Sequence, residues 1–296
     1  MRIRTLPSIF FIGILILVIG CQNQSKQTPS PKPPIPTQNT ELIYPWLEVG
    51  LSDETLSERF SPPPGFQRVD VDPYSYQEWL RHLPLKHEGA SVLSYKGDVI
   101  IPGNQRFLAG VIEIDVGSKD LQQCADFIIR LHAEYSWIYG DRDSIYFQFT
   151  SGDTLFWSEW RNGYRPIVLG DWVKLAKAAR LDSSHNNFRR YLNKVFNYAG
   201  TKSISKYAQQ VPKENIMAGD YFVQAGSPGH SVIILDIVED DDGRKQFLIG
   251  QGFMPAQSFH ILRSAGGSVW FKPDSVGVKT PFWDRFTWLQ LRRIVL

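Results

Sequence analysis

Cys124, His230 and Gln251 are residues of the types that cysteine-dependent hydrolysis requires. A hydrolase of this kind uses a thiol as nucleophile, an imidazole that takes the thiol proton, and a third polar group that holds the imidazole. We expect Cys124 near the start of a helix, His230 at the start of a strand, and Gln251 at the end of the next strand. These three are therefore the candidate catalytic residues.

His230 and Gln251 belong to residues 219–252, a stretch with the pattern of three β-strands joined by two turns. Gly226–Gly229 is the first turn signal, and an acidic run ending at Gly243 is the second. The middle run from His230 is apolar at nearly every position, so we expect it to be buried on both faces. Antiparallel pairing would bring the end of the third strand, with Gln251, near the start of the middle one.

Cys124 belongs to a predicted helix that starts near Asp120, with Gln123 three residues later as in a capping box. Apolar residues recur after it at helical spacing: Leu121, Cys124, Ile128, Leu131 and Tyr135. A thiol in the first turn feels the positive end of the helix dipole, which lowers its pKa and favours the nucleophilic thiolate. The alternative is that Cys124 is a small core residue on the buried stripe.

Other polar residues offer alternatives to this set. His260, with Gln257 beside it, is a second candidate partner, whereas we expect Asp236 to be a strand-end turn residue. His132–Ala133–Glu134 matches half of a zinc-deaminase motif, but the Pro-Cys-x-x-Cys half is missing, so we interpret it as decoration of a helix surface. Phosphate-binding loops, structural zinc patterns and Gly-x-Ser-x-Gly are also missing, and we expect no cofactor and no metal.

Length and composition predict a single globular α+β domain over residues 42–296. The chain is 43% hydrophobic, which is enough for a large core. A net charge of +2 with both signs interspersed gives no basis for nucleic-acid binding. We expect an antiparallel sheet or partial barrel with helices packed on one side. The other predicted helices are Leu56–Phe60, Ser75–His82, Trp172–Ala179, Phe188–Tyr198 and Thr201–Gln210. The other predicted strands are Val92–Tyr95, Val99–Ile101, Phe107–Val116 as a central strand, Ile145–Thr150, Leu155–Arg161 and Phe259–Leu262.

The N-terminal residues have the pattern of an export signal. Two arginines precede an apolar run, Ile9–Ile19, that is too short to span a bilayer comfortably, and Gly20 then precedes Cys21. This pattern resembles a bacterial lipoprotein signal peptide over residues 1–20. The resemblance implies cleavage before Cys21 and attachment of lipid, of the palmitate type, to that thiol; an uncleaved anchor is the alternative.

Residues 21–41 contain five prolines among polar residues, so they are expected to form an extended tether. Export would place the domain in the cell envelope, attached by lipid to the membrane on its periplasmic or extracytoplasmic side. Cys124 would then be a lone thiol without a disulfide partner in an oxidising compartment. Such a thiol is either buried and inert or retained for its reactivity.

The order of these blocks resembles the NlpC/P60 group of papain-like bacterial cell-wall cysteine peptidases. The matching residues are Cys124 at a helix start, Gly219–Asp220 opening a strand, Gly229–His230 opening the next, and Gln251 after it. The residue before Cys124 is Gln123 rather than Asp, and the interval to His230 is longer than in that group. The resemblance implies a papain-like arrangement and a peptide substrate, with the cell-wall peptide as the expected class.

A broader resemblance, over most of residues 50–295, is to bacterial lipoproteins grouped as a domain of unknown function, number 4846. The matching stretches include Asp120–Asp126, Tyr198–Thr201, Pro228–His230 and Met254–Gln257 with His260–Leu262. This family brings no established activity. It implies only that the cysteine and histidine blocks belong to the family's pattern.

Two functions follow as hypotheses. The first is a lipid-tethered thiol hydrolase in which Cys124 attacks a peptide carbonyl, His230 transfers the proton and Gln251 holds the ring. The second is a non-catalytic envelope lipoprotein that binds a peptide or glycan in an aromatic groove, with Cys124 as a core residue. The distance between the Cys124 sulfur and the His230 ring separates the two.

Overall fold

A computed structural model describes residues 42–47, 54–170 and 172–295. The predicted signal peptide, the lipidated Cys21 and the tether lie outside these ranges, so they remain predictions. The helices of the described ranges are α1 (Leu56–Arg59), α2 (Tyr76–Arg81), α3 (Cys124–Tyr139), α4 (Trp157–Arg161), α5 (His185–Phe196) and α6 (Thr201–Tyr207). Single 3₁₀ turns occur at Arg142–Ser144, Lys213–Asn215 and Trp288–Gln290.

The strands account for the rest of the regular structure. They are β1 (Gln67–Arg68), β2 (Val92–Leu93), β3 (Val99–Ile101), β4 (Leu108–Val111), β5 (Tyr146–Gln148), β6 (Thr154–Phe156), β7 (Tyr164–Leu169), β8 (Trp172–Lys177) and β9 (Gln209–Gln210). The later ones are β10 (Tyr221–Gln224), β11 (His230–Glu239), β12 (Lys245–Gln251), β13 (His260–Leu262), β14 (Trp270–Phe271), β15 (Gly277–Val278), β16 (Phe286–Thr287) and β17 (Leu291–Arg293).

One antiparallel sheet organises the described residues, with strand order β4-β13-β12-β11-β10-β17-β9. β1 adds to β11 and β14 adds to β12. The sheet does not close into a barrel within the described residues. The expected α+β class, with an antiparallel sheet, is confirmed.

The three-stranded meander is also confirmed, as β10, β11 and β12. β11 is buried at every residue from His230 to Val238 because strands flank it and both of its faces are covered. Ile233 and Leu235 project into a large cluster that includes Phe127 and Trp79. On the other face Val232, Ile234 and Ile237 join a smaller cluster with Phe222, Phe247, Phe286 and Leu291. Each such side chain contributes about 1.5–3 kcal/mol by leaving water.

A register shift between Ile234 and Asp236 interrupts the pairing of β11 with β12. Asp236 is 1% exposed and accepts hydrogen bonds from Arg68 Nε at 2.8 Å and from Arg81 Nε at 3.0 Å. Two guanidinium groups neutralise the buried carboxylate and tie β1 and α2 to the bulge. Asp236 therefore acts in packing. The expectation that it is a strand-end turn residue is wrong, because β11 continues past it to Glu239.

Helix α3 lies against the sheet through a close approach at Gly252. A Cβ atom at this position would lie 2.9 Å from Phe127 Cε2 and 3.1 Å from the carbonyl oxygen of Gln123. Only glycine lets the first turn of α3 come this near to the residue after β12. The sheet thus sets the position of Cys124.

Several sequence-based boundaries are wrong. Trp172–Lys177 is a strand paired with β7 rather than a helix, because its alternating residues complete a hairpin with Tyr164–Leu169. β4 covers only Leu108–Val111 and ends the sheet order instead of lying centrally. The segment predicted as the strand Leu155–Arg161 is strand only through Phe156 and continues as the helix α4.

Candidate active site

His230 is the first residue of β11, directly after the turn at Gly226–Gly229. Its neighbour in the pairing with β10 is Gln224. Nε2 of His230 lies 2.8 Å from Oε1 of Gln251, the last residue of β12. The two residues that the meander was predicted to bring together are in direct contact.

A second histidine extends this contact. Nε2 of His260 lies 3.2 Å from Nε2 of Gln251, and Nδ1 of His260 lies 3.0 Å from the carbonyl oxygen of Ser258. His260 extends the hydrogen-bond chain that begins at His230 and does not replace Gln251. The residue considered as an alternative partner of His230 is therefore bonded to Gln251 as well. Gln257, which the sequence analysis placed beside His260, has a buried Oε1 without a hydrogen-bond partner in the described part of the chain.

The hydrogen-bond partners indicate which ring nitrogens of His230 and His260 carry a proton. The Ser258 carbonyl only accepts, so Nδ1 of His260 carries the proton and its Nε2 accepts from the Gln251 amide. The Gln251 carbonyl oxygen then accepts from Nε2–H of His230. Nδ1 of His230 is left with a lone pair and makes no hydrogen bond to the residues that the structure describes. It is the ring nitrogen nearer the main chain, and it is free to accept a proton.

Aromatic rings enclose the His230 imidazole. The ring centroids of Phe253 and Trp283 lie 4.8 Å and 5.0 Å from it, and that of Phe286 lies 6.1 Å away. Burial lowers the pKa of His230 to about 4, although its bond to Gln251 acts in the opposite direction. Burial also lowers the pKa of His260 to about 4. Both rings are therefore neutral at physiological pH.

Cys124 is the first residue of α3 and is 7% exposed. Burial raises the pKa of its thiol, and the nearby Asp126 carboxylate raises it further. The backbone and hydroxyl of Ser231 oppose this increase, since they lie against the sulfur and favour the thiolate. The direction is the reverse of the one expected from the helix dipole alone, because desolvation at this site outweighs it.

Cys124 thus approaches β11 at Ser231, the residue that follows His230. Consecutive strand residues project from opposite faces, so Ser231 faces α3 while the His230 ring packs with Phe286 on the other side. No hydrogen bond joins the Cys124 thiol to the His230 imidazole. Of the three candidate residues it joins His230 to Gln251 directly, and it brings Cys124 next to the main chain of the His230 strand.

Asp126 was not predicted as part of this region. Its Oδ2 accepts a hydrogen bond from the backbone N–H of Gln123 at 2.9 Å, which caps the helix. Its Oδ1 is buried without a hydrogen-bond partner among the residues described, and burial raises its pKa to about 8. Asp120, the predicted cap, instead accepts from the backbone N–H of Ala256 and the side chain of Gln123.

A buried ionic network further along α3 was also missed. Arg130 is fully buried and contacts Asp115 Oδ2 at 2.5 Å and Glu134 Oε1 at 3.3 Å. The other oxygen of Glu134 lies 2.7 Å from Nε2 of His185 in α5. Arg130 also donates to Gln122, so the network fixes the segment that leads into the helix.

The motif His132–Ala133–Glu134 is therefore not surface decoration. His132 is 1% exposed and Glu134 is fully buried, because α3 is covered on more than one side. The sequence contains a signal for this: charged residues and apolar residues are mixed around the whole helix, which leaves no purely polar face.

Within residues 42–47, 54–170 and 172–295, no group of three or more His, Cys, Asp and Glu side chains is placed to hold a metal ion. No helix in those ranges is long and apolar enough to cross a membrane.

No curated protein and no solved structure matches this chain. A sequence family does match, over residues 56–293, which includes Cys124, His230, Gln251 and His260. The match covers most of the chain. The chain therefore belongs to the family described as Domain of unknown function (4846).

Proposed function

We propose that this protein is a papain-like thiol hydrolase that is tethered to the membrane by lipid on Cys21 and cleaves a peptide amide in the cell envelope. The observation that carries the proposal is the 2.8 Å bond between His230 Nε2 and Gln251 Oε1. It leaves Nδ1 of His230 as a proton acceptor at the start of β11, the strand that the Cys124 thiol approaches at Ser231 from the opposite face.

Because the Cys124 thiol and the His230 ring lie on opposite faces of β11, the proposed reaction requires the Cys124 side chain to turn around the start of the strand when substrate binds. Nδ1 of His230 then takes the proton from the thiol as the sulfur attacks the substrate carbonyl carbon. The C=O π electrons move to oxygen, and backbone N–H groups in the first turn of α3 stabilise the resulting oxyanion. The C–N bond then breaks, and His230 returns the proton to the departing amine. Water hydrolyses the thioester by the same route, which regenerates the thiol.

The two pKa shifts favour a neutral pair over a preformed thiolate–imidazolium pair. The thiol has a raised pKa and the imidazole has a pKa of about 4, so the proton resides on sulfur before reaction. Proton transfer must therefore accompany attack. Gln251 and His260 hold the ring in one tautomer, which keeps Nδ1 available as the base.

The location and substrate class rest on sequence resemblance. The N-terminal pattern resembles a lipoprotein signal peptide, and the order of the cysteine and histidine blocks resembles cell-wall cysteine peptidases. We therefore propose the peptide amide of the cell wall as the substrate.

A direct experiment is to incubate the purified protein with cell-wall stem peptides and to search for new amine and carboxylate termini by mass spectrometry. Cleavage by the natural chain, lost in Cys124→Ala and in His230→Ala, would support the proposal. Cleavage that persists in Cys124→Ala would exclude Cys124 as the nucleophile, and no cleavage of any cell-wall peptide would exclude this substrate class.

One observation favours a second candidate, the non-catalytic binding lipoprotein. The Cys124 side chain is almost fully buried and makes no hydrogen bond to His230, as a core residue would. Under this function Cys124→Ala leaves binding of cell-wall fragments unchanged, and calorimetry with those fragments distinguishes the two.

A further inference from the structure

A cavity of about 370 Å³ lies between α3, the strand β5 and the helix α6, away from the candidate catalytic residues. Its walls include Ile129 on α3, Ile145 and Phe147 at β5, and Ile204 on α6. None of the residues that line it is charged, and none is Cys124, His230 or Gln251. Its volume is within the range of small-molecule sites.

His132 and Ser203 are the buried polar residues of this cavity, and the Ser203 hydroxyl is bonded to the main chain of Gly200. Nδ1 of His132 lies 3.0 Å from the carbonyl oxygen of Ile128 and 3.0 Å from the hydroxyl of Tyr76. We assign the proton to Nδ1, because the Ile128 carbonyl can only accept, and Nε2 then has the lone pair. Nε2 makes no hydrogen bond to any described residue. Because Nδ1 faces Ile128 and Tyr76, the edge of the ring left to the cavity carries Nε2.

The residues that line the cavity indicate which class of ligand it fits. No residue of the lining carries a charge that would stabilise a charged group of opposite sign. An apolar body would match the isoleucine and phenylalanine side chains, while Gln148, Tyr207 and Gln209 give the rest of the lining a polar character. A single hydroxyl or N–H group would satisfy the lone pair of His132 Nε2, since a buried acceptor without a donor is unfavourable.

We propose that this cavity binds a neutral, largely apolar ligand whose single hydroxyl or N–H group donates a hydrogen bond to Nε2 of His132. The site is separate from the proposed hydrolytic one. Either can fail without the other.

The test compares two probes by calorimetry, para-propylphenol and para-propylanisole, which differ in the hydroxyl proton. The natural chain should bind the phenol about tenfold more tightly than the ether, because only the phenol donates to Nε2. Ser136 lines the cavity. Ser136→Phe should fill the space and abolish binding of both probes, whereas Ser136→Ala, the matched control, should leave both affinities unchanged.

His132→Phe removes the acceptor and should make the two affinities equal. Should His132→Phe fail to fold, the comparison of Ser136→Phe with Ser136→Ala decides the question, since Ser136 makes no side-chain hydrogen bond among the described residues. Equal binding of the two probes by the natural chain, binding of neither, or unchanged binding in Ser136→Phe would overturn the proposal.

Discussion

Gln251 Oε1 accepts a hydrogen bond from Nε2 of His230 at 2.8 Å, while Nε2 of the same amide donates to Nε2 of His260 at 3.2 Å. One buried glutamine therefore sets the orientation and the tautomer of two neutral imidazoles. The free nitrogen of His230 follows from this arrangement and not from the strand alone.

Replacing Gln251 with leucine should destabilise the protein by about 2–4 kcal/mol, because two buried imidazole nitrogens lose their partner. Urea unfolding of the two chains measures the difference. Gln246→Leu is the matched control on the same strand: its Oε1 is buried without a partner in the described residues, so removing it should cost less than about 1 kcal/mol. Equal losses in the two variants would show that the amide does not hold the histidines.

Gly252→Ala should destabilise the protein by about 1–3 kcal/mol, since the added Cβ would overlap the Phe127 ring and crowd the Gln123 carbonyl. The same methyl group at Gly266 meets only a serine hydroxyl 4.0 Å away. Gly266→Ala should therefore unfold at nearly the same urea concentration as the natural chain. Because Gly252 sets how close α3 comes to the sheet, its variant should also change the alkylation rate of Cys124. An unchanged rate would mean that the thiol is positioned independently of this contact.

Asp126→Asn should be more stable than the natural chain at alkaline pH. The pKa of Asp126 is raised from 3.8 to about 8, so the folded state keeps a proton that the unfolded state has released. Stability is then lost as the pH rises from about 4 to about 8, by an amount on the order of a few kcal/mol. Because asparagine does not titrate, the difference in free energy of unfolding between the variant and the natural chain should grow in favour of the variant over this pH window. A pH-independent difference in urea unfolding would contradict the assignment of the buried carboxyl.

The same variant should react faster at its thiol. The Asp126 carboxylate raises the pKa of Cys124, so its removal lowers that pKa and increases the thiolate fraction. Iodoacetamide labelling above about pH 8, where Asp126 is ionised, reports the change. A slower reaction in Asp126→Asn would show that the carboxylate acts on the thiol in some other way.

Asp236→Ala should cost about 3–5 kcal/mol, because it leaves Arg68 and Arg81 without their shared buried carboxylate. Asp242 forms an ion pair with Arg244 at the surface, where both side chains are 73% exposed. Asp242→Ala should therefore unfold at the same urea concentration as the natural chain. A small effect at Asp236 would mean that water replaces the carboxylate at the β11 bulge.

Much of the candidate site was predictable because it depends on local patterns. Turn residues and apolar runs define the meander, and antiparallel pairing then requires that Gln251 lie near His230. The helix that carries Cys124 was predictable from its periodicity. Family membership was predictable from the same blocks.

Long-range contacts could not be predicted. Trp172–Lys177 fits both a helix and a strand, and its pairing with Tyr164–Leu169 decides the outcome. Asp120 fits the helix cap, but it is engaged by Ala256, which lies far away in the sequence, and Asp126 takes its place. The pKa of Cys124 depends on how completely tertiary packing covers it, which no local pattern specifies.

In the proposed hydrolase, His230 acts as the base for Cys124. Acetylation of Cys124 by para-nitrophenyl acetate, followed by mass spectrometry across pH, tests it most directly. We expect a rate that rises near pH 4 with deprotonation of His230, stays level to about pH 8, and falls about 100-fold in His230→Ala. A rate that climbs steadily with thiolate concentration, identical in His230→Ala, would contradict it.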